Sequence, residues 1–147
     1  MEISDRSYSI LIADDDEDDF TLIAEALKAS GSENPVNWVR DGEELMDFLN
    51  STYGSNNSDK KKPSIIILDL NLPKKDGREA LKDIRSNPKL KHIPVVILTT
   101  SRANSDIQQV YELGANSFIQ KPFKYADFSL TMENFFKYWI CTVKLPS

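Results

Sequence analysis

The sequence is short of several things at once: it has one cysteine, one histidine, no long apolar run and no excess of basic residues. Each shortage excludes something. With Cys141 alone no internal disulfide can form, which fits a reducing cytosol, and the thiol reads as a small hydrophobe on the last helix. No apolar stretch approaches the ~20 residues that cross a bilayer, and the polar opening MEISDRS is unlike a signal peptide. A cytoplasmic protein without membrane contact is therefore expected. The formal charge of −5 argues against direct nucleic-acid binding, which needs a basic face. His92, in NPKLKHIP, points to a basic surface loop rather than to a phosphohistidine or a metal ligand. There is no internal repeat. The expectation is one domain over residues 1–147, with its core at about 8–142 and no attached output domain.

What the sequence does have is organised around Ser64 to Gly77, SIIILDLNLPKKDG. Four bulky aliphatics run straight into Asp69, a pattern that suits a strand buried on both faces of a parallel sheet. Pro73 cannot continue a central strand because it lacks the N–H. Asp69 thus sits where a buried strand opens into a loop, the edge along which open α/β sheets bind ligands. The next helix pattern begins near Asp76, too far along for Asp69 to cap it.

The remaining elements alternate. Tyr8 to Ala13 reads as a buried strand, leading into six consecutive acids, Asp14 to Asp19, and a helix carrying Phe20, Ile23, Ala24 and Leu27 on one face, closed by Gly31. Asp18 and Asp19 favourably face that helix's N-terminus, whereas Asp14 and Asp15 at the strand tip have no such explanation. Val36 to Arg40 is a short strand, Asp41-Gly42 opens a helix with Leu45, Phe48 and Leu49, and residues 51–62 read as a long surface loop. Gly77 to Ser86 is a helix, Val95 to Leu98 a strand ending in Thr99, and Asn104 to Leu113 a helix closed by Gly114. Asn116 to Ile119 is a strand leading to Lys121-Pro122, and Lys124 to about Thr142 is the last helix. Five strands alternating with five helices demand an α/β, doubly wound parallel sheet with right-handed crossovers.

In such a sheet the strand ends lie side by side. Asp14, Asp15, Asp69, Thr99 and Lys121 would therefore meet at one edge. Three carboxylates together repel one another unless a cation or protons neutralise them. Hard oxygen ligands suit Mg²⁺, while a hydroxyl and a lysine suit phosphoryl oxygens.

These motifs resemble the response-regulator receiver domain of two-component signalling over nearly the whole length. They are DD after strand one (Asp14, Asp15), D-x-N-x-P after strand three (Asp69, Asn71, Pro73), DG (Asp76, Gly77), T after strand four and KP after strand five. The resemblance implies a flavodoxin-like sheet in the order 2-1-3-4-5. It implies Asp69 as phosphoacceptor for a histidine kinase, and Mg²⁺ held by Asp14, Asp15, Asp69 and the Asn71 backbone carbonyl. Thr99 would be the switch hydroxyl, Lys121 the partner of the phosphate and Phe118 the switch aromatic. Asn71 and Ser101 would border the attacking water, and their weak basicity implies slow autohydrolysis rather than enzymatic turnover. The long loop, the LTTS segment and the ending FFKYWICTVKLP resemble single-domain regulators that partner bacterial phytochrome kinases.

Two other readings stand beside this one. A Mg²⁺-dependent phosphohydrolase would use a nucleophilic aspartate, but its D-x-D pattern is absent at Asp69, where the spacing gives Asn71. An unphosphorylated scaffold of the same fold would lack one of the five site residues, and none is missing. The last helix carries Phe128, Met132, Phe135, Phe136, Trp139, Ile140 and Val143, an arc wider than the ~100° needed to dock on a sheet. Phe136 and Ile140 are accordingly expected at the rim, as part of a homodimer surface formed by helix four, strand five and helix five, unless a neighbouring helix or the tail TVKLPS covers them.

Overall fold

Strand β1 (Ile10–Ala13) alternates strictly between the two faces of a parallel sheet: Leu11 and Ala13 enter one core, Ile10 and Ile12 the other. Strands β3 (Ile65–Leu68) and β4 (Val95–Thr99) do the same, with Ile66, Leu68, Val95 and Ile97 on the first side and Ile65, Ile67, Val96 and Leu98 on the second. That is why these segments read as continuous aliphatic runs: period-two sorting into two cores leaves no polar face. The computed structural model describes residues 8–53 and 62–146.

With β2 (Val36–Val39) and β5 (Ser117–Gln120) at the edges, the five parallel strands lie in the order β2-β1-β3-β4-β5. The helices are α1 (Glu17–Ala29), α2 (Gly42–Tyr53), α3 (Gly77–Ser86), α4 (Asn104–Glu112) and α5 (Tyr125–Phe136). Residues of α2, α3 and α4 fill the first core, while those of α1 and α5 fill the second. The fold is thus the flavodoxin-like one expected from the sequence.

Carboxylates cap the starts of α1 and α3. The Asp16 carboxylate accepts from the Asp19 N–H at 3.1 Å, and Asp76 accepts from the Arg78 N–H at 2.8 Å. Asp16 is thus the N-cap of α1.

Two expectations are corrected. Helix α2 extends through Tyr53, so the first part of the expected loop is helical, and most of the remainder, 54–61, lies outside the described residues. Phe136 and Ile140 are core residues, 0% and 3% exposed, not rim residues. The cause lies in the chain beyond α5. Lys137–Thr142 continues as a wider π-helical segment, with the Val143 N–H donating to the Tyr138 carbonyl at 2.9 Å. The tail covers them, which is the alternative to the rim: Leu145 is buried in the same cluster as Phe136 and Ile140, and its N–H donates to the Tyr8 hydroxyl at 3.0 Å. Cys141 is half-buried against that cluster, as a small hydrophobe would be.

Candidate functional site

Main-chain pairing carries the strand ladder one residue past its ends and so places the site. The Asp69 N–H donates to the Ala13 carbonyl at 3.0 Å, the Asp14 N–H to Val39 at 3.1 Å, and the Lys121 N–H to Thr99 at 2.7 Å. Side chains from separate strand ends are thereby brought to one edge. Asp14, Asp69, Thr99 and Lys121 are all buried, whereas Asp15 is exposed.

The Lys121 ammonium is the hub. Its Nζ donates to Asp14 Oδ2 at 2.7 Å, Asp19 Oδ2 at 2.8 Å and Asp69 Oδ2 at 2.9 Å. An ammonium has three N–H donors, and here all three are engaged. The other carboxylate oxygens bind the local backbone: Asp14 Oδ1 accepts from the Asp16 N–H at 2.9 Å and Asp69 Oδ1 from the Asn71 N–H at 3.1 Å. The Asn71 side-chain amide donates to the Thr99 hydroxyl at 3.4 Å, which ties strand ends three and four together.

Burial raises the pKa of Asp14 from 3.8 to about 6, with Lys121 pulling in the opposite direction and Asp69 adding to the rise. For Lys121 burial disfavours the charge, but Asp14 and Asp69 outweigh it and hold the ammonium firmly protonated. Asp14, Asp15 and Asp69 each offer a carboxylate oxygen, all within 4.8 Å of one another. Such a donor set, hard, anionic and open at Asp15, fits a divalent cation of the Mg²⁺ type.

Gly77 is required for this arrangement. A Cβ there would lie 2.3 Å from the Asp69 carbonyl oxygen and 2.7 Å from Leu70 Cα, so only glycine lets α3 begin against the backbone of the acceptor loop.

Of the residues expected at the site, Asp14, Asp15, Asp69, Asn71, Thr99 and Lys121 converge there. Phe118 stands apart on edge strand β5, half-buried, its N–H donating to the Tyr111 hydroxyl at 3.1 Å. Ser101 donates to the Asp106 carboxylate, which pairs with Arg78 at 2.8 Å, so the loop after β4 is tied to the first turn of α3. His92 is exposed, edge-on to Tyr53, and takes no part.

Sequence reasoning missed Asp19, whose carboxylate looked like one more favourable charge at a helix N-terminus. No local signal separates it from its neighbour Asp18, which lies in the same first turn of α1. Also unforeseen was Trp38, which stacks on Phe20 at 4.3 Å and donates its indole N–H to the Asp14 carbonyl at 2.8 Å.

Residues 10–133 match the response regulator receiver domain family. The chain belongs to that family. It is 41% identical over 138 residues to the response regulator Rcp1 of Synechocystis sp., covering 94% of this chain and 92% of that protein. The Mn²⁺-bound crystal structure of Rcp1 superposes with a TM-score of 0.87 at 41% identity, over 95% of this chain and 99% of that one. The phosphorylated cyanobacterial phytochrome response regulator RcpA superposes with a TM-score of 0.88 at 40% identity, over 95% and 99% of the two chains. The protein is thus a signalling phosphoacceptor of the receiver type.

Proposed function

We propose that Asp69 is the phosphoacceptor and that Asp14, Asp15, Asp69 and the Asn71 carbonyl hold Mg²⁺ beside it. The observation that carries this reading is the buried Lys121 ammonium, bound at once to Asp14 and Asp69 from separate strand ends. A buried cation aimed at a carboxylate beside an oxygen-rich trio is suited to receiving a phosphoryl group. A histidine kinase supplies the phosphohistidine. An Asp69 oxygen attacks phosphorus, the new P–O bond forms, the donor P–N bond breaks, and the electron pair leaves with the imidazole. Mg²⁺, when bound, supplies charge neutralisation for the carboxylates and the phosphoryl oxygens. Lys121 shifts from Asp14 and Asp69 toward the transferred oxygens. The Thr99 hydroxyl moves with the phosphoryl group, and Phe118, already half-buried, turns inward and alters the face formed by α4, β5 and α5.

The likeness to RcpA, a cyanobacterial phytochrome response regulator, supports a phytochrome-type histidine kinase as the partner. The single cysteine, and the absence among the described residues of a helix long and apolar enough to cross a membrane, support a cytoplasmic setting. The net charge of −5 supports an output that does not contact nucleic acid directly. A homodimer through α4, β5 and α5 cannot use the buried Phe136 and Ile140, and would use the exposed Tyr111 and Leu130 instead. Asn71 and Ser101 offer no strong base, so the acyl phosphate is lost by slow autohydrolysis. The phosphohydrolase reading has no comparable support: its D-x-D pattern is absent at Asp69, where the spacing gives Asn71, and the Asp19 carboxylate is bound to Lys121.

The test is incubation with radiolabelled acetyl phosphate and Mg²⁺. Wild type is expected to label to a stable plateau with acid-stable, hydroxylamine-sensitive phosphate, and Asp69→Asn not to label. Equal labelling of the two proteins, or phosphate release by wild type with no labelled protein accumulating, would remove the reading.

A further inference from the structure

We propose that Asp19 is a positioning residue for Lys121, tethering the ammonium beside the acceptor carboxylate once a metal ion engages its other two partners. This rests on the phosphoacceptor reading of Asp69. Lys121 is 4% exposed and bonds Asp14, Asp19 and Asp69 at 2.7, 2.8 and 2.9 Å. Two of those three carboxylates belong to the oxygen trio that fits a divalent cation; Asp19 does not. A cation in the trio draws on the charge of Asp14 and Asp69 and repels the ammonium. Of the three bonds, only the one to Asp19 is free of that competition.

Asp19 is built to stay in place. It lies in the first turn of α1, where the helix dipole favours its charge, and its N–H is held by the Asp16 carboxylate at 3.1 Å. The next residue, Phe20, stacks on Trp38, whose indole bonds the Asp14 carbonyl, so this helix end is fixed against β1 and β2. A plain helix-terminal acid needs none of this. Asp18 fills that role exposed to solvent, whereas the Asp19 side chain is 26% exposed and turned onto a buried ammonium.

The experiment compares Asp19→Asn, Asp19→Glu and Asp18→Asn with wild type, and with Asp15→Ala and Asp69→Asn as controls, in three readouts. These are the Mg²⁺ midpoint by tryptophan fluorescence, the maximal rate of Asp69 labelling by acetyl phosphate at saturating Mg²⁺, and the ¹⁵N signal of the slowly exchanging Lys121 ammonium in Mg²⁺. In labelling, an Asp69 oxygen forms the P–O bond and acetate leaves with the electron pair. Asp19→Asn is expected to lower the maximal rate about tenfold, with the Mg²⁺ midpoint within about threefold of wild type and the ammonium signal lost. Asp19→Glu, which keeps the charge, recovers most of the rate, and Asp18→Asn matches wild type. Should Asp19→Asn fold poorly, Asp19→Ser, a good helix-start residue, replaces it in the same assays. The proposal is overturned by a rate equal to or above wild type, by an ammonium signal that persists, by Asp19→Glu behaving like Asp19→Asn, or by a midpoint shift as large as that of Asp15→Ala. Labelling that survives in Asp69→Asn overturns the phosphoacceptor reading as well. Labelling abolished there but intact in Asp19→Asn overturns the Asp19 role alone.

Discussion

The strand-end cluster and the last helix carry equally distinctive sequences, yet only the cluster was legible in the sequence. At the strand ends, Asp14, Asp69 and Lys121 lie within hydrogen-bond distance as expected. Along α5 the apolar arc was wide enough to suggest an exposed rim, and instead Phe136 is completely buried. The difference is one of constraint. Parallel pairing dictates where a strand end lies, because each ladder bond fixes the register of its neighbour. Nothing comparable dictates what covers the flank of a terminal helix. That depends on where the succeeding chain goes, and here it goes through a π-helical turn and back to Tyr8.

The largest effect is expected at Phe136. As a fully buried aromatic it should cost about 3–5 kcal/mol of stability when truncated to alanine, through lost burial and the cavity left behind. Denaturant unfolding of Phe136→Ala measures this. A loss below about 1 kcal/mol, with dimer dissociating to monomer, would return the residue to the surface.

The cluster is probed by pH. Mg²⁺ needs Asp14 ionised, and burial raises the pKa of this group from 3.8 to about 6. Above about pH 6 the carboxylate is already charged and affinity is flat. As pH falls below that value a proton must be displaced, so affinity falls by up to about tenfold per pH unit. Fluorescence titrations at about pH 7.5, 6 and 5 check the sign. An affinity unchanged down to the lowest of these would mean that Lys121 offsets the burial of Asp14 completely.

The smallest effect is expected on the other side of the same helix. Leu130 is 58% exposed, so Leu130→Glu should change stability by no more than about 0.5 kcal/mol. If α4, β5 and α5 form the dimer surface, it should nevertheless convert dimer to monomer, with labelling of Asp69 intact. Light scattering on wild type and variant decides this, and a wild type that stays monomeric in both phosphorylation states rules the dimer out.

Local pattern alone determined the five-fold alternation of strand and helix, the two-sided burial of β1, β3 and β4, and the stop at Pro73 that leaves Asp69 at an open edge. These arise from period-two alternation, aliphatic content and proline's missing N–H, all of which act within a few residues. From that alternation the meeting of Asp14, Asp69, Thr99 and Lys121 could be inferred, since right-handed parallel topology leaves few other arrangements. Which first-turn acid would turn inward was decided only by tertiary structure. Asp18 and Asp19 are chemically identical neighbours, and they are separated only by the rotation of α1 that the Phe20–Trp38 stack and the Asp16 cap set against the sheet. The same is true of Phe136 and Ile140, whose cover arrives from Leu145 and Tyr8, residues far apart in the chain. Side chains that answer to local periodicity are readable from sequence. Those whose surroundings are supplied by distant segments acquire their environment only when the chain closes on itself.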